Sequence, residues 1–212
     1  MQAGSVGRAI FSRAKARISL GLVAFGLCLT QGQTWAAVVC SGDPTISNAL
    51  FTQQIIGSGP GAWQCGLNVT ESGSITVTNT NGVNNMSGIT LTTLNNNGQI
   101  SASVSGNGSG AGIENAGTLT TLNNNGQISA SGSGTGIYNA GTITTLNNSN
   151  QISAAANAIM NRGTGTIAAL NNTGSITGTG SQSYGIVNLL GTITTLNNSG
   201  SGSISGVLAG II

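Results

Sequence analysis

The sequence predicts an all-β chain: a parallel β-helix of about five coils, each of 24–28 residues, set behind a cleaved signal peptide. Three observations lead there. The string TTLNNNGQISAS occurs identically at residues 92–103 and 120–131, and looser copies follow downstream. Within each copy the aliphatics alternate with Thr or Ser and stop at Gly and Asn, the pattern of short strands and turns. Charge is almost absent: five Lys plus Arg, three Asp plus Glu and no His among 212 residues.

Residues 1–36 read as an export signal. Arg8, Arg13, Lys15 and Arg17 precede an apolar run over 18–29, and small residues follow at Thr34, Ala36 and Ala37. Twelve apolar residues fall short of the ~20 needed to span a bilayer as a helix, so cleavage after Ala36 is the expectation. Leu27 precedes Cys28 and Val39 precedes Cys40, which does not suit a lipid anchor. Removing the signal leaves one basic residue, Arg162, against Asp43, Glu71 and Glu114. No basic stripe remains to displace phosphate counterions, which excludes nucleic acid as a partner.

Residues 37–88 are expected to form an irregular N-terminal cap. Cys40 and Cys65 are the cysteines left there, and in an exported chain they pair most simply as a disulfide, with two free buried thiols as the alternative.

Residues 89–212 carry the repeat. Aligned on the Leu before the Asn pair, the copies fall at Leu94, Leu122, Leu146, Leu170 and Leu196, spaced by 28, 24, 24 and 26 residues. Another aliphatic lies three residues earlier (Leu91, Leu119, Ile143, Ile167, Ile193), and one lies six later at Ile100, Ile128, Ile152 and Ile176, with Ile204 delayed by a Ser-Gly insertion. An I-x-N element separates the copies at Ile113, Ile137, Ile159 and Ile186. One repeat cannot build a core from so few aliphatics. Stacked repeats lay each over its counterpart, and the five Leu form a core column. At a turn recurring in every coil, Asn side-chain amides can bond from coil to coil, so Asn95, Asn123, Asn147, Asn171 and Asn197 are expected to form a ladder; solvated turn residues are the alternative. The final Gly210-Ile211 falls where an I-x-N element begins, so the repeat is read as ending mid-unit.

The signal segment together with the reiterated I-x-N-x-G-T-I-x-x-L-x-N-x-G-x-I pattern, as over residues 137–152, resembles the passenger region of bacterial autotransporters, the type V secreted surface proteins. The resemblance covers residues 89–212. It implies a right-handed β-helix displayed outside the outer membrane for adhesion or biofilm contact, and a C-terminal β-barrel translocator in full-length members. No series of ten-residue amphipathic strands with aromatic girdles is present, so the expected translocator is absent and the chain reads as a passenger fragment or truncated reading frame. The expected location is the cell surface or the exterior when coupled to a translocator, and otherwise the periplasm.

Catalysis is not expected. There is no His, and the carboxylates are scattered with no base beside the Ser-rich strings; neither a cofactor nor a metal is expected, because the ligands are too few. The expected function is that of an adhesin-type structural protein contacting a host or abiotic surface, or self-associating through its β-helix edges, with an amyloid-like matrix protein as one variant. A competing reading rests on Thr90-Leu-Thr92, Thr118-Leu-Thr120, Thr142-Ile-Thr144 and Thr192-Ile-Thr194. These T-x-T strings would stack into a flat Thr array resembling the face of some β-solenoid ice-binding proteins.

Overall fold

Alternation of aliphatic and polar residues over five to seven positions makes strands, and the Gly and Asn pairs between them make turns. The computed structural model describes residues 36–38, 45–47, 49–50, 54–56, 64–106 and 110–212. After β1 (Ala36–Val38) the strands recur in threes. The first triplet is β2 (Thr45–Ile46), β3 (Ala49–Leu50) and β4 (Gln54–Ile56); the second is β5 (Gln64–Val69), β6 (Ser74–Thr78) and β7 (Val83–Asn85). Next come β8 (Thr90–Asn96), β9 (Gln99–Val104) and β10 (Ala111–Asn115), then β11 (Thr118–Asn124), β12 (Gln127–Gly132) and β13 (Thr135–Asn139). They are followed by β14 (Thr142–Asn148), β15 (Gln151–Ala154) and β16 (Asn157–Arg162), and by β17 (Thr166–Asn172), β18 (Ser175–Gly178) and β19 (Tyr184–Leu189). The last triplet is β20 (Thr192–Asn198), β21 (Ser203–Ser205) and β22 (Ala209–Ile211).

Each strand pairs in parallel with the strand three places on, giving three sheets that wrap one core. Sheet A runs β1, β4, β7 and so on to β22; sheet B runs β2 to β20; sheet C runs β3 to β21. This is an all-β parallel β-solenoid, and it is consistent with the right-handed winding that parallel crossovers favour. The register superposes the repeat on itself: Leu94, Leu122, Leu146, Leu170 and Leu196 are successive partners in sheet B, as are Ile100, Ile128, Ile152, Ile176 and Ile204 in sheet C.

The first four members of the Leu column are fully buried. Leu196 departs from the expected column and is 37% exposed, because β20 has a neighbour on one side only. The Ile files in sheets A and C are buried in the same way, and each such side chain contributes about 1.5–3 kcal/mol.

The winding also reaches further upstream than the repeat string. Residues 64–85, expected to be irregular cap, form a full triplet in register with the next coil, and Leu67, Val69, Ile75, Val77 and Val83 continue the buried columns. These residues alternate correctly but have Asn68-Val69 after Leu67 where the later coils have an Asn pair. The signal segment up to residue 35 and Cys40 lie outside the described residues, as does the side chain of Cys65, whose backbone pairs with Leu91.

Close stacking of the turns demands Gly at particular places. A Cβ on Gly141 would lie 2.1 Å from the Gly117 carbonyl oxygen of the coil below, with only backbone around it. Among the described residues no helix is long and apolar enough to cross a membrane.

Candidate functional site

Strand alternation sends the two asparagines of each Asn pair to opposite faces. In β11, Leu122 points in, Asn123 out and Asn124 in. The outward file is the ladder Asn95, Asn123, Asn147, Asn171, Asn197, in which each Nδ2 donates to the Oδ1 of the preceding coil at 2.9 Å.

The structure adds two inner ladders that the sequence reading did not assign. Asn96, Asn124, Asn148, Asn172 and Asn198 form one, linked at 2.7–2.8 Å; Asn85, Asn115, Asn139, Asn161 and Asn188 form the other, also at 2.7–2.8 Å. The second comes from the Asn of the I-x-N element. Here each Nδ2 donates towards the following coil, opposite to the outer ladder. Backbone carbonyls fix that polarity: Asn124 Nδ2 also donates to the Gln151 carbonyl and Asn115 Nδ2 to the Thr142 carbonyl, both at 3.0 Å, and a carbonyl can only accept. Each inner ladder starts where the previous coil offers no amide. Ile56 is the register partner of Asn85 and Val69 that of Asn96, and Asn85 Oδ1 and Asn96 Oδ1 are buried without a hydrogen-bond partner. On sheet C, Gln99, Gln127 and Gln151 form a further amide file at 3.0 and 2.6 Å.

Sheet B carries the Thr array. Thr90, Thr118, Thr142, Thr166 and Thr192 are successive register partners, and Thr93, Thr121 and Thr145 are followed by Ala169 and then Thr195. Alternation slips inside each of these strands, so in β11 both Thr120 and Thr121 lie outside between the buried Leu119 and Leu122. The coil of β17 presents Ala168 and Ala169 where its neighbours present Thr.

No group of three His, Cys, Asp or Glu side chains that could hold a metal occurs among the described residues. The chain matches no protein-family model, no curated protein and no solved structure.

Proposed function

We propose that this protein is an exported, adhesin-type structural solenoid of the autotransporter-passenger kind. Its role is to hold an uncharged polar surface away from the cell for contact with a host or abiotic surface or with other copies. The observation that supports this reading is the run of coils from β8 to β22, whose outward files on sheets B and C are mainly hydroxyls and amides repeated at about 4.8 Å. Over residues 64–212 only Glu71, Glu114 and Arg162 are charged. Such a surface neither attracts nor repels at long range, and it binds by many short-range hydrogen bonds to whatever it meets. In this reading the signal segment supplies export and a β-barrel translocator supplies the anchor.

Fusing residues 37–212 ahead of a compatible β-barrel translocator tests the proposal. Surface display with increased cell–cell or cell–surface adhesion is the expected result, and display without any gain in adhesion would overturn it. A second reading, ice binding, draws on the in-register Thr files of sheet B. Ice shaping or a depressed freezing point with the purified chain, lost on Thr120→Val plus Thr144→Val, would favour it; Ala168 and Ala169 interrupt the array and weigh the other way.

A further inference from the structure

Sheet A differs from its two neighbours in what it shows to solvent. Tyr138 and Tyr184 are the two aromatic residues within 64–212, and both lie on sheet A strands, together with Glu114 and Arg162. One outward file of this sheet runs Asn84, Glu114, Tyr138 and Met160 in register, so a carboxylate, a phenol ring and a thioether follow one another coil by coil; the next partner, Val187, is buried. Beside them the surface sinks into a recess of about 360 Å³ lined by, among others, Asn81, Glu114, Ser133, Thr135, Tyr138 and Met160. Small residues contribute to the lining: Gly110 and Ala111 lie where β10 begins.

The polar groups of the recess are held in place. Asn81 Oδ1 accepts the Ala111 N–H at 2.8 Å, which turns its Nδ2 to donate to Glu114 Oε2. The Ser133 hydroxyl donates to the Gly106 carbonyl at 3.4 Å. A carboxylate and an amide thus stand side by side, fixed before any ligand arrives, next to hydroxyls that both donate and accept.

We infer that this recess is a binding subsite for a neutral saccharide. A sugar ring offers an apolar C–H face with hydroxyls around its edge. The face suits Tyr138, whose ring carries negative charge density over its plane, and the hydroxyls suit Glu114, Asn81, Ser133 and Thr135. The volume lies within the ~300–1,000 Å³ of small-molecule sites. A cationic ligand fits less well, because it would find a single carboxylate partly open to screening water. The inference gives the adhesive reading a ligand class, yet it does not rest on that reading, since the recess exists whether or not the chain is displayed.

The test uses the purified full chain on an array of neutral and acidic oligosaccharides, followed by calorimetric titration with the best neutral binder. Binding of a neutral oligosaccharide is expected, with Tyr138→Ala weakening it roughly tenfold, Tyr138→Phe retaining most of it, and Thr120→Ala on sheet B leaving it unchanged. Glu114→Gln should weaken it by a smaller factor, since the amide preserves some of the hydrogen bonding. These side chains all face outward, so circular dichroism should match the parent. Failure to bind any neutral saccharide would overturn the inference, and so would binding indifferent to both Tyr138→Ala and Glu114→Gln. Preferential binding of oligolysine, abolished by Glu114→Gln, would replace it with a cation site. These outcomes are read in solution and remain distinct from any failure of surface display.

Discussion

Asn123 and Asn124 are neighbours in sequence with the same side chain, yet their energetic roles differ because one is partly wet and the other dry. Asn124 is fully buried; it accepts from Asn96 and donates to Asn148 and to the Gln151 carbonyl. Replacing it by Ala removes those bonds and leaves buried groups in the coils above and below without partners, where water cannot compensate. Asn124→Ala should therefore cost about 2–4 kcal/mol, against about 0.5–1 kcal/mol for Asn123→Ala, as read from shifts in urea denaturation midpoints of the full chain. Equal costs would mean that the inner ladder contributes no more than the outer one. The outer ladder was legible from the repeat because Asn at a recurring turn is a familiar stacking device. The inner ladders were hidden by the expectation that amides face water, although alternation after Leu122 already places Asn124 inward and alternation after Ile137 places Asn139 inward. The side-chain period was the readable signal, and the general polarity of Asn masked it.

Strands and turns are specified by different constraints. Within β14, Ile143 is fully buried whereas Thr145 is partly exposed in an outward file. Ile143→Asp places a carboxylate in the apolar column with no partner and should unfold the middle coils, while Thr145→Asp should shift the thermal midpoint by no more than a few degrees. Comparable tolerance at both positions would refute the inward and outward assignment. In the turns the constraint is space: Gly141→Ala drives a methyl against the Gly117 carbonyl oxygen and must push the adjoining coils apart, so a loss of about 1–3 kcal/mol by denaturation is expected. Coils β8 to β22 were readable because their strings repeat nearly verbatim. The coil of β5 to β7 was not, because Leu67, Val69, Ile75, Val77 and Val83 keep the alternation but Val69 replaces the second Asn of the pair by which the repeat was recognised. The recess on sheet A was equally illegible, since its lining comes from four coils and Glu114, Tyr138 and Met160 look like the free position of I-x-N until register brings them together.

For the whole molecule, a stack of coils has no single centre, so its stability is distributed along the axis by contacts between neighbours. With so few charges on residues 64–212, electrostatics adds little to that distribution. The gradient must follow burial and amide bonding. Coils with β11, β14 and β17 have paired coils on both sides and fully buried Leu122, Leu146 and Leu170, and in the first two of them both inner ladders are bonded above and below. The coil with β20 has a neighbour on one side only; its Leu196 is 37% exposed, and Asn198 Nδ2 donates to the Gly202 carbonyl of its own turn rather than to a further coil. Opening that coil sacrifices one interface, whereas opening a middle coil sacrifices two. Hydrogen exchange followed by mass spectrometry on the full chain should therefore show amides of β20 to β22 exchanging at least tenfold faster than those of β11 to β16, since a difference of about 1.4 kcal/mol in opening free energy already gives a factor of ten. Asn124→Ala should accelerate exchange in the two coils that flank it more than in β20 to β22. Uniform exchange along the axis, unaltered in pattern by that substitution, would mean that the solenoid opens as one cooperative unit and that the nearest-neighbour account fails.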